Sequence, residues 1–395
     1  MSQNNANVEE LSRGPRLGII GGGQLARMLA LAAAPLGCRV VVVEKQADCP
    51  AAGVSAEVLA GDWNDPAILL NLAARVDVVT LENEFVNTAA LEALEAAGHR
   101  LYPAVVTMRQ VQDKLVQKQT LQAAGLAVAE FAAVESPEAL REVGRKLGWP
   151  LVLKARRNGY DGKGNYTLRS EGEIEAAWTA LGGGRNSLYA EAFCPYVREL
   201  AVMITRGRDG AVAEYPVVET VQREHICHIV RVPAELPVAV ARRAAEMAHR
   251  AMEAFNGVGS FGVEMFLLAD GRVFINEMAP RVHNSGHYTI EACDCSQFEN
   301  HVRAVLGWPL GSTALRRPGA AMVNLLGAGP GNGWPAGWQP ALTVRGAHVH
   351  VYGKAASSKG RKMGHVTALG DSAGAAEALA RQAAEGLQFG GRTEG

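Results

Sequence analysis

The sequence predicts a chain of mixed α/β and α+β class, with a parallel-sheet domain at the N-terminus, a larger middle part rich in strands, and a small β-rich C-terminal domain. Strand and helix patterns alternate from residue 16 to about 106, which is the signature of successive βαβ units. From 151 to 306 strand patterns dominate instead. The 395 residues suffice for two or three domains with cores of their own. The expected boundaries are a disordered tail over 1–14, domains over 15–112 and 113–310, and a last domain over 311–395.

Each element has a local reason. Strand 16–20 leads through three glycines into an Ala-rich helix over 24–34, and strand 38–43 follows. Further helices are expected at 65–75 and 89–97. Residues 107–125 read as one helix closed by Gly125, bridging into the middle domain. There, strands are expected at 151–154, 188–193 and 200–205, the last opened by Glu199, with helices at 171–181, 237–255 and 296–306. The last part should hold strands 320–326, 347–352 and 363–369, a Gly-Pro-rich loop over 327–340, and a helix near 374–386. No internal repeat is visible.

Composition excludes several classes. The formal charge is −1 and charged residues make up 20%, so neither nucleic acid nor an anionic membrane is indicated as a partner. Residues 1–14 lack the apolar stretch of a signal peptide, and no apolar run reaches the roughly 18 residues of a membrane span. A cytoplasmic enzyme is expected. The cysteines at 38, 49, 194, 227, 293 and 295 show no CxxC, so free thiols are the default. Cys293 and Cys295 near His283 and His287 suggest zinc only weakly, because a two-residue stride fits no common zinc knuckle.

The chemistry concentrates in 261–287, FGVEMFLLADGRVFINEMAPRVHNSGH. Asp270-Gly271 between apolar runs signals a two-residue hairpin turn, pairing Ala269 with Arg272 and so placing Glu264 opposite Glu277. Opposed acids about 5 Å apart destabilise a sheet unless something positive lies between them. Oxygen ligands with Asn276 alongside suit Mg²⁺. The alternative is an ordinary hairpin whose turn is one residue off, leaving one Glu in solvent.

Upstream, a buried strand ends in Lys154 and is followed by Arg156, Arg157 and a loop containing Gly159, Tyr160, Asp161, Gly162, Lys163 and Gly164. Such a loop can lay its amides along a phosphate chain, although it lacks GxxxxGK[ST] spacing and is otherwise simply a hairpin turn. Glu191 and Glu199 sit where strand-end acids could accept from an adenine amine or ribose hydroxyls, or stand in solvent. Near the N-terminus, Gly21 to Ala26 fits GxGxxA, and Glu44 follows about twenty residues on, as in a dinucleotide site. The same geometry serves any doubly wound domain that offers helix amides to an anion, and nothing downstream supplies a hydride-transfer site.

In this order the parts resemble the ATP-grasp fold. GGGQLARM from Gly21, Glu82 and Glu84 in TLENEFV, DKLVQKQ from Asp113, GYDGKG, NEMAPRVHNSGH from Asn276, SQFENHVRA from Ser296, YGK at Tyr352 and GRKMGHV from Gly360 are most similar to the 5-(carboxyamino)imidazole ribonucleotide synthase family. The resemblance implies ATP- and bicarbonate-dependent carboxylation of aminoimidazole ribonucleotide through carboxyphosphate, in purine biosynthesis. It implies Mg²⁺ on Glu264 and Glu277, and ATP held by Lys114, Lys154, the loop from Gly159 to Gly164, Glu191, Glu199, Asn276 and Glu277. Arg281 would grip bicarbonate, with His283, Asn284 and Ser285 as donors and Tyr160, Asp161 and Glu84 near the amine. Gln24, Leu25, Lys354 and Arg361 would contact the ribonucleotide, the last two at its phosphate, in a cytoplasmic homodimer. Two departures from the pattern are Asp294-Cys295 before SQFE and Gln222 where a His is common, which puts the role of position 222 in doubt. Other ATP-grasp ligases, an NAD-dependent oxidoreductase and a catalytically silent scaffold are the competing classes.

Overall fold

The computed structural model describes residues 14–159 and 164–390. The expected disordered tail, apart from Gly14, and the loop residues Tyr160, Asp161, Gly162 and Lys163 lie outside the described residues.

The N-terminal part is built from β1 (Arg16–Ile20), α1 (Gln24–Ala33), β2 (Arg39–Glu44), β3 (Glu57–Ala60), α2 (Pro66–Ala73), β4 (Val78–Leu81) and α3 (Thr88–Ala96). Its strands run parallel in the order β3-β2-β1-β4. The continuous apolar run Val40 to Val43 is what a strand covered on both faces requires. α1 covers one face, while α2 and α3 cover the other.

The single helix expected over 107–125 is two, α4 (Val105–Gln112) and α5 (Lys114–Ala123). Asp113 breaks it: its backbone is extended, and its carboxylate caps α5 by accepting from Leu115 N at 3.1 Å and Val116 N at 3.3 Å. The same carboxylate takes Arg156 in a forked ion pair of 2.6 to 3.1 Å. The helix start is thereby locked to the end of a strand, and Lys114 is aimed from it.

A small antiparallel sheet follows, from β5 (Phe131–Val134), β6 (Leu151–Ala155), β7 (Asn165–Leu168) and β8 (Leu188–Ala192), in the order β5-β8-β6-β7, with α6 (Pro137–Leu147) and α7 (Ile174–Ala180) packed on it. The largest sheet has nine strands among the described residues: β9 (Tyr196–Arg206), β10 (Val212–Glu214), β11 (Val218–Arg223), β12 (Ile226–Val232), β13 (Gly259–Leu268), β14 (Val273–Ala279), β15 (Gly319–Leu326), β17 (Ala347–Val351) and β19 (Lys362–Gly370). Glu199 lies inside β9 rather than at its start. The short pair β16 (Gly331–Asn332) and β18 (Ala356–Ser357) stands apart. β15 pairs with β12, so strands beyond residue 310 continue the same sheet.

The apolar stripe of α8 (Val238–Phe255) covers one face of β9, β13 and β14. α9 (Thr289–Ala292) and α10 (Gln297–Leu306) follow the hairpin, and α10 packs against α1. α11 (Trp338–Thr343) interrupts the stretch expected to be loop, and α12 (Ala373–Glu385) closes the chain's described part. His301 of α10 joins the parts: Ser260 N donates to its Nδ1 at 3.0 Å, and its Nε2 meets Thr80 Oγ1 at 2.8 Å.

Candidate active site

Glu264 does face Glu277, but by a route the sequence did not suggest. Leu268, not Ala269, opposes Arg272: Leu268 N donates to Arg272 O at 2.9 Å, and Gly271, at φ +84°, donates to Leu268 O at 3.0 Å. This one-residue offset persists to Met265↔Ile275, where Asn276 enters as an extra residue and restores the Glu264↔Glu277 register. A wrong turn and an unforeseen bulge cancel. The bulge also places Asn276 and Glu277 next to each other on the strand's site end.

A basic side chain stands at each acid. Lys114 Nζ lies 2.6 Å from Glu277, and His283 Nε2 lies 3.2 Å from Glu264. Burial pushes the Glu264 carboxyl up, yet His283 and Lys114 outweigh it and hold its pKa at about 2. Burial likewise works against the Lys114 ammonium, and Glu277 overcomes it to hold the pKa above the usual range. A cavity of about 290 Å³ opens beside them, lined by Glu84, Lys114, Gln117, Arg157, Gly159 and Glu277 among others.

Three expected contacts are filled by the protein itself. Glu191, expected to meet adenine or ribose, is buried with Lys154 at 2.7 Å and Lys118 at 3.1 Å. Burial raises its pKa, but the two ammonium groups win and bring it to about 2. It lies on β8, between β5 and β6. The fork of Arg281, expected to grip bicarbonate, holds Glu84 at 2.5 and 2.9 Å, so an anion must displace that carboxylate or take the remaining N–H groups of the guanidinium. Lys354 Nζ donates to Lys362 O at 2.6 Å, and exposed Arg361 donates to Ala356 O at 2.5 Å.

The turn after the hairpin is internally ordered. His283 Nδ1 and Ser285 Oγ are 2.8 Å apart, and Asn284 exchanges two amide bonds with Asn324, at 2.9 and 2.8 Å. Burial raises the Glu199 carboxyl, and Tyr196 and Gln222 are hydrogen-bonded to it, which gives position 222 a carboxylate neighbour.

The glycine loop is also occupied. Gly23 N and Ala26 N donate to Glu82 at 2.7 and 3.0 Å, and Gly22 N donates to Glu44 at 3.0 Å. A Cβ on Gly21 would lie 2.4 Å from Glu82 Cγ, and one on Gly23 2.5 Å from Glu82 Oε1. The glycines make room for the protein's own carboxylate, and the amides a pyrophosphate would need are taken. Gln24 starts α1 half-buried, and the Leu25 side chain packs in the core.

Comparison with known proteins gives the family. The ribonucleotide synthetase preATP-grasp domain matches residues 15–112, the ATP-grasp domain 119–298, and the phosphoribosylaminoimidazole carboxylase C-terminal domain 320–379. The N5-carboxyaminoimidazole ribonucleotide synthase of Synechococcus elongatus is 42% identical over 362 residues, covering 91% of this chain and 91% of that one. The chain belongs to the N5-carboxyaminoimidazole ribonucleotide synthase family. A family structure from Aspergillus clavatus, in complex with ADP and 5-aminoimidazole ribonucleotide, superposes with TM-score 0.86 at 36% identity, covering 94% of this chain and 98% of that one. The phosphoribosylaminoimidazole carboxylase of Schizosaccharomyces pombe is 42% identical over 90% of this chain, which spans only 65% of that protein's length.

Within the family frame, sequence reasoning missed Lys118 and Asn324. Lys118 had a signal: it lies four residues after Lys114, on the same helical face. Asn324, forty positions from Asn284, had none.

Proposed function

We propose that the chain is an ATP-dependent carboxylating ligase that converts 5-aminoimidazole ribonucleotide to N5-carboxyaminoimidazole ribonucleotide. The observation that carries this reading is the opposed pair Glu264 and Glu277, of which Glu277 lines a cavity together with Lys114 and with Glu84, the carboxylate that holds Arg281. The Aspergillus relative, with ADP and the same ribonucleotide, supports it.

The donor set fits Mg²⁺: two carboxylates, one held ionised at about pKa 2, and no convergence of three His, Cys, Asp or Glu among the described residues. Phosphate oxygens and water would complete the shell. Bound there, Mg²⁺ supplies charge neutralisation for the ATP phosphates. Bicarbonate oxygen attacks the γ-phosphorus and ADP leaves, giving carboxyphosphate. The ribonucleotide amine then attacks the carboxyl carbon, the C–O bond to phosphate breaks, and the departing phosphate takes the amine proton. Lys114 and Lys154 exchange their carboxylate partners for phosphate oxygens, and the Arg281 fork takes the carboxyphosphate in place of Glu84. His283 and Ser285 donate to the same anion from the turn that Asn284 anchors on Asn324, and the family resemblance assigns Tyr160, Asp161 and Lys163 to the substrates. Gln24, Lys354 and Arg361 hold the ribonucleotide.

Among the described residues no helix is long and apolar enough to cross a membrane. Small molecules are the partners, and a cytoplasmic homodimer completes the reading. The test is phosphate release from ATP with bicarbonate and the ribonucleotide each omitted in turn. Full release is expected only with both; equal release with formate in place of bicarbonate would point to a different ligase of the same fold.

A further inference from the structure

β17 runs directly into Tyr352, Gly353 and Lys354, the turn assigned to the ribonucleotide phosphate. Tyr352 is 1% exposed, and its hydroxyl lies between two imidazoles, 3.1 Å from His287 Nδ1 and 3.0 Å from His365 Nδ1. His287 is three residues beyond Asn284 and is equally buried. None of these rings has a part in the chemistry above.

Hydrogen-bond accounting favours one arrangement of the cluster. Asn324 Nδ2 donates to the Cys227 carbonyl at 2.9 Å, which fixes which end of that amide is nitrogen. Asn324 and Asn284 then bond reciprocally, so the Asn284 oxygen faces Asn324 and its remaining N–H points to His287 Nδ1 at 3.4 Å. That N–H makes His287 Nδ1 an acceptor shared between Asn284 and Tyr352, an arrangement that puts the ring proton on Nε2. A phenol has one proton. Tyr352 donates it to His287 and accepts from His365, whose proton sits on Nδ1.

Both rings are neutral. Neither Nε2 has a hydrogen-bond partner among the described residues, so a second proton would be a buried unpaired charge. Burial, then His283, His350, Lys362 and Arg281, keep His287 far below the usual imidazole range; burial, His350 and His287 do the same for His365. His350 stacks on His365 at 4.4 Å and is itself held by Glu291 at 2.6 Å.

We propose that Tyr352 is a positioning residue: its hydroxyl holds His287 in the Nε2–H tautomer, which orients Asn284 and ties the Lys354 turn to the 284–287 turn. The roles of Asn284 and Lys354 rest on the function proposed above; the hydrogen-bond chain does not. Such a tether sets the distance between the phosphate end and the reacting end of one substrate, where small misplacements cost rate.

The full-length protein tests this in two arms. Long-range ¹H–¹⁵N spectra of the imidazoles should show His287 as Nε2–H and His365 as Nδ1–H; the same tautomer in both would overturn the proposal. Tyr352→Phe should lower kcat about tenfold, the worth of one buried hydrogen bond. It should also raise phosphate released per carboxylated product, and leave the ATP KM within about twofold on the same scale. His365→Leu should match it, and His365→Asn, whose amide nitrogen occupies the Nδ1 position, should recover most of the loss. Wild-type kcat and coupling in Tyr352→Phe, or a parallel fall of every constant with Tm, would overturn the positioning role. A wild-type protein that does not carboxylate the ribonucleotide would remove the function reading and the positioning role with it, while the spectra still decide the hydrogen-bond chain.

Discussion

The Gly21–Ala26 loop and the basic groups beside the Glu264–Glu277 pair both offer donors to an anion, yet the fold treats them oppositely. In the loop, backbone amides are the donors, and Glu82 and Glu44 consume them from within. Beside the acid pair the donors are side chains, Lys114 and Arg281, which rest on carboxylates at the wall of a cavity. A lysine on a flexible stem can exchange a carboxylate for a phosphate. An amide packed on a buried carboxylate cannot. What separates a ligand site from a structural cap is thus whether the internal partner can be displaced.

Four experiments probe that contrast. Lys118→Met should be the most damaging, because it takes one cation from buried Glu191 at 3.1 Å; a loss of about 3 kcal/mol in urea denaturation is expected, with a raised ATP KM. Unchanged stability would show that Lys154 alone suffices. Glu277→Gln should keep the fold and cut ATP turnover by about 10² to 10³, while weakening the response of the rate to added Mg²⁺. Near-wild-type turnover would remove the carboxylate pair from the chemistry.

His301 bridges the two regions as a neutral ring whose pKa burial pushes down to about 4, from 6.5 in an unfolded chain. The unfolded state binds its proton first, so stability is full above pH 6.5 and falls as pH drops from there toward 4, by at most about 3 kcal/mol from this group. His287 and His365, also held low, add in the same direction. Urea melts at descending pH should show the slope, and His301→Gln should flatten it. Smallest is Glu82→Gln, which sets an amide against the helix N–H groups and should cost about 1 to 3 kcal/mol. Saturable NADH binding by this variant would show that the loop retains a dinucleotide site once its carboxylate is weakened.

Much of the fold was legible because it rests on local periodicity. The alternating elements before residue 106, the stripe of α8 and the late strands follow from apolar spacing that any neighbour would satisfy. The misreadings fall where a distant group competes with a local rule. Residues 107–125 looked like one helix because the pull of Arg156 on Asp113 is invisible at a separation of 43. The hairpin turn was misplaced by one residue, and only the bulge at Asn276 returned Glu277 to Glu264.

By itself the sequence determined the family, the two acids, the lysine-bearing strand and the NSGH turn, because those residue types and their order are written in the chain. The tertiary structure alone decided which charges are already paired: Glu191 with Lys118 and Lys154, Arg281 with Glu84, and the loop amides with Glu82. It also decided that Tyr352 stands between His287 and His365. Pairing depends on distances between residues far apart in the chain, and packing sets those distances.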